Sequence, residues 1–402
     1  MTEVLDQEAT SFPMPRTCPF DPPPEYREIR EEAPISKVSL PSGREAWVIA
    51  RHEDVRAVLT NPAFSSDRNH PGFPLLIPNV NRDRPFLPML ISMDAPEHGP
   101  ARRAVVGEFT VRRMEALRPR IQEIVDERID AVLAASQPAN LVELFSLPIP
   151  SLVICELLGV PYADHDYFQA RSSKLLNRTT TVEERIAAVD ELRDYLDELV
   201  TAKEEEPTDD LLGRQVLKQR ETGEVEHDEL VGMAFLLLIA GHETTANMIS
   251  LSTVGLLENP EQLEAIKNDP SKTLLAVEEL LRYFTIADTA TARVATADVE
   301  IGGQLIRAGE GVLGLGYSAN RDPEAFDNAD DLDIERGARH HVAFGFGAHQ
   351  CLGQNLARME LQIVFDTLFR RIPTLKVAAP IDDLPFKNDA SIFGLHALPV
   401  TW

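Results

Sequence analysis

Residues 343–358 read Ala343-Phe-Gly-Phe-Gly-Ala-His-Gln-Cys-Leu-Gly-Gln-Asn-Leu-Ala-Arg358. A lone cysteine is usually a small buried hydrophobe. Cys351 has different surroundings: Gly345 and Gly347 precede it, and Gly353 follows it where a helical pattern opens. Glycine permits close backbone approach and dihedral angles closed to other residues. Free backbone N–H groups and a helix N-terminus favour a thiolate over a thiol. The stretch therefore suits a charged sulfur, either as nucleophile or as metal ligand.

Around this stretch the periodicity predicts a mainly α chain with a small β portion. A helix is expected over about 352–370, and helices dominate about 95–285, as at Ile121, Ile124, Val125, Ile129 and Val132. One unusually long helix, Asp228 to Glu258, is apolar on all sides near Met233 to Gly241 and is stopped by Asn259-Pro260, so it is expected to cross the core. Short strands with glycine turns are predicted over about 35–50, 290–315 and 385–402, the last including Ile392 to Val400. The polar run Lys203 to Asp210 reads as an exposed turn between helices. Between Ser65 and Leu90, five prolines (Pro71, Pro74, Pro78, Pro85, Pro88) interleave with Phe73, Leu75, Leu76, Ile77, Phe86 and Leu87. That density excludes a long helix and predicts an apolar binding loop or lid. No repeat or low-complexity tract divides the 402 residues, so a single large domain is expected.

The formal charge is 39 − 65 = −26. Such a field argues against nucleic acid and anionic membranes as bulk partners. The N-terminal residues are acidic, with no basic start leading into an apolar core, and the strongest apolar stretch is far short of ~20 residues. Cys18, Cys155 and Cys351 form no disulfide framework. A cytoplasmic monomer is the expectation.

Three further motifs contain unusual polar residues. Glu279-Leu-Leu-Arg282 places an acid and a base three residues apart on a helix, ordinarily a surface pair worth a few tenths of a kcal/mol. Ala240-Gly241-His242-Glu243-Thr244-Thr245 interrupts the apolar middle of the long helix, where unpaired polar groups are costly. A zinc-protease reading of His242-Glu243 fails, since the position four after His242 is Ala246. Asp94-Ala-Pro-Glu-His98-Gly-Pro-Ala-Arg102 puts His98 and Arg102 on one face of a helix start.

Phe344 to Gly353, as Phe-Gly-x-Gly-x-His-x-Cys-x-Gly, resembles the haem-binding loop of the cytochrome P-450 superfamily. The other three motifs agree with that family in order and spacing, so the resemblance spans essentially the whole chain. It is closest to the actinomycete enzymes that hydroxylate bulky apolar drugs, sterol-like molecules and macrolides. The resemblance implies haem b held between the long central helix and the Cys loop, with Cys351 as axial thiolate pushing electron density onto iron. It implies that Phe344, Gly345 and Gly353 shape the loop, and that Ala240 and Gly241 leave room above the iron. His98, Arg102, Arg293 and His349 would meet the haem propionates, arginine being able to bind a carboxylate bidentately. Glu243 and Thr244 would be the acid–threonine pair that delivers protons to O2. Glu279, Arg282 and Arg336 would form a buried structural cluster. Arg307 stands where many relatives have proline.

The function so implied is insertion of one oxygen atom from O2 into a bulky hydrophobic molecule. Electrons would come from a ferredoxin served by a ferredoxin reductase, since no flavin fingerprint is visible. Leu236, Leu237, Ile286, Ile392 and Phe393 are the pocket candidates, and Arg68, Arg82 and Arg84 are weighed as contacts to a substrate carboxylate or as solvated loop arginines. Six arginines within 101–120, against Glu108 and Glu115, give the acidic chain a basic face. Arg103, Arg112 and Arg113 are the expected contacts to an acidic ferredoxin. Two rival readings are a structural zinc held by His340, His341, His349 and Cys351, and a cysteine hydrolase. Both leave Glu279/Arg282 and Glu243/Thr244 unexplained.

Overall fold

A computed structural model describes residues 10–77, 86–223 and 226–402. Arg82 and Arg84 lie outside the described residues, as does the 78–85 part of the proline-rich loop.

The central helix runs from His227 to Glu258, one residue longer than its periodicity predicts. Glu226 and Glu229 cap its start reciprocally, and Asn259 Nδ2 donates to the Gly255 carbonyl at its end (2.8 Å). By length and composition this helix could cross a bilayer. It packs instead against other helices, most extensively Pro148–Leu158, Val182–Glu205, Thr273–Phe284 and Gln354–Arg371, and also Leu211–Thr222 and Pro260–Asn268. Burying an apolar helix on all sides is the alternative to lipid. The core of the single domain forms around it and includes Leu238, Ile249, Leu251 and Val254.

The β portion is a six-stranded sheet ordered Thr10–Ser11, Ile35–Ser39, Glu45–Ile49, Gly311–Gly314, Arg293–Ala295 and Phe64–Ser65. Its register pairs Ser65 with Val294 and Arg293 with Val312. Residues far apart in sequence are thereby brought to one edge of the sheet, with Ser65 beside the strand that carries Arg293. A hairpin (Val299–Ile301 with Gln304–Ile306) and a small three-stranded sheet complete the β structure.

Two expectations are corrected. The tail is not a strand from Ile392: only Pro399–Thr401 is one, pairing with Lys376–Val377 and Ala139–Asn140. Upstream of it the chain forms a closed loop with two isolated bridges, Phe386 to Leu395 and Ala390 to Asn177, with Pro385 and Gly394 interrupting regular pairing. The run from Lys203 to Asp210 is not simply an exposed turn. It does join two helices, and most of it is exposed or half-buried. Lys203, however, in the last turn of the Val182–Glu205 helix, has its ammonium buried against Asp210 and Thr208, a closure invisible in a string of polar letters.

Candidate active site

The loop before Cys351 is shaped by Gly345 (φ 68°) and Gly347 (φ 74°), both in the left-handed region, and a Cβ on Gly347 would sit 2.8 Å from the Leu59 carbonyl oxygen. The Cys351 N–H donates to the Phe344 carbonyl (2.8 Å) and closes the loop. Burial raises the Cys351 thiol pKa. The amides of Gly353 and Gln354, at the start of the Gln354–Arg371 helix, and the charges of Arg102 and Arg358 act the other way, towards a thiolate. A Cβ on Gly353 would meet open space.

Beside this loop lies a buried concentration of positive charge. Helix His98–Val106 places His98 against His349, with ring centroids 4.1 Å apart. Arg102 donates through Nη2 to the Gln350 carbonyl (2.5 Å). Arg293, buried on its strand, donates to the Ala292 carbonyl (2.7 Å), and burial pushes its pKa down to about 10. Arg68 stands close enough to Arg293 to disfavour its charge, and burial lowers its own pKa as well. Burial, aided by Arg293 and His98, pushes His349 down to about 3, so the imidazole is neutral. His98 is lowered too, by burial first and then by Arg102, and its Nε2 is buried with no hydrogen-bond partner among the described residues. The nearby acid is Asp94, whose Oδ1 accepts from the Ser66 amide (2.8 Å) and whose Oδ2 accepts from the Ser65 hydroxyl. Ser66 Oγ in turn lies 3.2 Å from His349 Nε2. Three arginines therefore stand against one aspartate, a poor arrangement for an interior unless further anions arrive.

On the central helix, Ala240 is exposed while its neighbours along the helix are buried or half-buried. Leu236, Ala240, Glu243 and Thr244 follow the 3–4 spacing of one helix face, and each retains some accessibility. Thr244 Oγ1 donates to the Ala240 carbonyl (2.7 Å). Glu243 Oε1 is paired with Lys387 Nζ and accepts from Asn247 Nδ2 at 3.4 Å. Burial raises the Glu243 pKa, but Lys387 outweighs it and keeps the carboxylate ionised. Gly241 packs against the Pro148–Leu158 helix, where a Cβ would meet Ile154 Cδ1 at 2.8 Å. Among the pocket candidates, Leu236 and Ile392 are half-buried, whereas Leu237, Ile286 and Phe393 are buried. Phe393 donates its amide to the Ile286 carbonyl (3.0 Å), and its ring lies between the Arg16 guanidinium and Phe386.

The Glu-x-x-Arg motif is fully buried. Arg282 grips Glu279 bidentately (2.7 and 2.8 Å) and donates to the carbonyls of Asn320, Ala329 and Asp331. Arg336 Nε reaches Glu279 Oε1 at 3.1 Å, and its Nη atoms donate to the carbonyls of Asp327, Asn328 and Asp331. The candidate zinc histidines diverge. His340 faces the Ala325 carbonyl, His341 faces Glu278 and His349 faces Ser66, and no metal-binding group of three or more such side chains exists among the described residues.

The cytochrome P-450 family model matches residues 163–399. Pentalenic acid synthase of Streptomyces avermitilis is 51% identical over 392 residues, covering 98% of this chain and 97% of its own. Vitamin D3 dihydroxylase of Streptomyces griseolus is 48% identical over 396 residues, covering 98% and 97%. The crystal structure of cytochrome P-450 MoxA from Nonomuraea recticatena superposes with a TM-score of 0.90, at 59% identity and 98% coverage of each chain. The chain belongs to the cytochrome P-450 family. It is therefore an oxidoreductase of the monooxygenase class, and its cofactor is haem b. The zinc and hydrolase readings fall with that membership. The residues present suit the cofactor: haem brings two carboxylates, the cluster has a surplus of two positive charges, and His98 Nε2 is an orphaned donor or acceptor within it.

Sequence reading missed Lys387, Glu278 and Arg358, and it gave Asp94 no role. Each has its partner 28 to 144 positions away, so no local spacing announces it.

Proposed function

We propose that this cytochrome P-450 is a haem-thiolate monooxygenase that hydroxylates a bulky hydrophobic small molecule, with Cys351 as axial ligand and a ferredoxin as electron donor. The observation that carries this reading is the surplus of arginine, buried at Arg293 and half-buried at Arg68 and Arg102, beside the Cys351 loop. Arg102 and Arg293, with His98 and His349, would hold the two propionates. The charge count adds Arg68, because three arginines less Asp94 leave two charges for two carboxylates. Bound there, haem supplies the activation of dioxygen and the oxidising power for C–H insertion.

The chain's own part is to hold the substrate and to move protons. Thr244 and Ala240 share the accessible side of the central helix, where Thr244 Oγ offers lone pairs because its proton is already donated to the Ala240 carbonyl. Glu243, ionised in its pair with Lys387, takes up a proton only when that pair opens, and then passes it towards Thr244. Leu236, Ile286 and Ile392 are apolar and suit a hydrophobic substrate, with Leu237 and Phe393 packed in support. The names of the relatives, vitamin D3 dihydroxylase and pentalenic acid synthase, fit that class. Exposed Arg103, Arg112 and Arg113 flank the exposed apolar Val106 and Val111, a combination suited to a small acidic ferredoxin in the cytoplasm, with the P-450 as a monomer.

The absorption spectrum of the reduced protein under carbon monoxide tests the ligand assignment. The parent protein is expected to give the red-shifted thiolate band, and Cys351→Ala is expected to lose it while retaining some haem. A Cys351→Ala variant with an unaltered band overturns the assignment. Apolar compounds that change the haem spin state on titration report the substrate class.

A further inference from the structure

The Thr273–Phe284 helix presents two consecutive carboxylates, and only Glu279 belongs to the Glu-x-x-Arg cluster. Glu278 faces a different set of groups. Arg358 donates to its carboxylate through Nε (2.5 Å) and Nη2 (3.1 Å), and His341 Nε2 lies 3.2 Å from Oε2. Arg358 is on the helix that starts three residues after Cys351. Its guanidinium also donates to Gln354 Oε1 (2.9 Å) and lies 4.6 Å from the centroid of the Phe344 ring. Phe344 and Gln354 both meet Cys351 through their backbones: the Phe344 carbonyl accepts its amide, and the Gln354 amide, with that of Gly353, turns towards its sulfur. A single fixed cation is thus clamped against both ends of the Cys351 loop.

The charges around it are few. Burial raises the Glu278 carboxyl pKa, yet His341 and Arg358 outweigh that and hold it at about 2. His341 is lowered by burial and contributes no charge at neutral pH. Glu279 with Arg282 and Arg336 forms the adjoining network, and Arg102 is the other cation acting on the Cys351 sulfur.

We infer that Glu278 and Arg358 form a charge pair that sets the electron affinity of the Cys351-ligated haem, Arg358 favouring the reduced state and Glu278 moderating it. The inference rests on the assignment of Cys351 as axial ligand. Uptake of one electron makes the centre more negative by one unit, so a nearby buried cation stabilises the reduced form and a nearby anion destabilises it. The bidentate grip of Glu278 also fixes where the Arg358 charge sits. Both are positioning residues that act through the loop and its field, and neither touches substrate.

Opposite signs separate this role from simple bracing. Potentiometric titration of the haem-loaded, substrate-free protein would compare Arg358→Gln, Glu278→Gln, the double variant and Arg358→Lys. Arg358→Gln is expected to make one-electron reduction about three- to tenfold less favourable. Glu278→Gln is expected to make it more favourable by a similar factor. The double variant should return close to the parent, and Arg358→Lys should stay within about threefold of it. Each should retain the red-shifted carbon monoxide band. Shifts of the same sign in the two single variants, no shift in either, or loss of the band in Arg358→Lys would overturn the inference and leave a structural clamp. If Arg358→Gln does not fold, the Glu278→Gln and Arg358→Lys arms decide it. Failure of the ligand assignment shows separately, as an unaltered band in Cys351→Ala.

Discussion

Glu278 and Glu279 stand side by side on one helix; Glu279 holds the approach to the Cys351 loop, and Glu278 spans the loop from His341 to Arg358. Glu279 fixes Arg336 and the Asp333 amide (2.9 Å) upstream, whereas Glu278 fixes His341 and, beyond the cysteine, Arg358. Neighbouring helix positions point about 100° apart, so one turn can address two regions. The loop is positioned by buried charge on both sides, and a substitution on either side leaves uncompensated partners behind.

Glu279→Gln should therefore be among the most damaging single substitutions in the chain. It strips the carboxylate from fully buried Arg282 and from Arg336 together, and breaking such a pair costs about 3–5 kcal/mol. Urea unfolding and the haem content of the purified variant check this. A variant as stable and as fully loaded as the parent would show that the carbonyl ligands of Arg282 suffice.

Glu360 gives a pH prediction. It is buried on the Gln354–Arg371 helix, its Oε2 has no partner among the described residues, and burial pushes its pKa up to about 8. With the folded pKa above the unfolded value of about 4.3, the folded state binds the proton more tightly. Stability is then lost as pH rises from about 4.3 towards 8. Glu360→Gln should remove this slope, on the order of 4 kcal/mol across that range. Thermal unfolding of parent and variant at about pH 5 and about pH 8 reads it, and parallel curves would contradict it.

Arg293→Gln should act oppositely on the apoprotein and the holoprotein. Removing one of three clustered arginines relieves repulsion, so the apoprotein should unfold at a higher temperature. Haem should nevertheless dissociate about tenfold faster for want of a carboxylate partner. Haem transfer to an acceptor protein and calorimetry of the apoprotein measure the two effects. A variant whose apoprotein is destabilised would show that the arginine serves packing instead.

The pair formed by Glu243 and Lys387 should govern proton supply. In Lys387→Gln, burial is opposed only by His242 and the Asn247 hydrogen bond, so the Glu243 pKa rises and the carboxyl is neutral more of the time near neutral pH. The rate per electron should then become pH-dependent in a range where the parent is flat. Thr244→Ala should bind haem normally yet release more of its reducing equivalents as peroxide. Measuring product, peroxide and consumed reductant together tests both. Unchanged coupling in Thr244→Ala would exclude it from the proton path.

How far the sequence could be read follows the range of the physics involved. The His227–Glu258 helix was legible to within a residue because its apolar run and its Asn259-Pro260 stop are local. The glycines of the Cys351 loop were legible for the same reason, whereas Glu279 and Arg282 read locally as a surface pair and only the family resemblance implied their burial. Glu278 with Arg358 lies across 80 positions, and Lys387 with Glu243 across 144, so only tertiary packing brings them together. Lys203 and Asp210 misled because burial is a property of the surroundings and not of the residue. Gly241 also has a contact its letter does not announce, since a Cβ there would meet Ile154, 87 positions away.

The C-terminal loop links two traits that separate evolution would keep apart. Lys387, which holds Glu243, and Ile392, a pocket candidate, belong to one short loop closed by the Lys387 amide on the Gly394 carbonyl (2.8 Å). Gly394 in turn lies so close to Asn247 on the central helix that a Cβ there would sit 1.9 Å from its side-chain oxygen. A substitution that reshapes the loop for a new molecule at Ile392 also displaces the lysine. Diversification of substrate through this loop is consequently pleiotropic, trading selectivity against the economy of electrons. Lineages that change substrate without wasting reductant should accumulate their changes on the 65–90 loop and at Leu236 first.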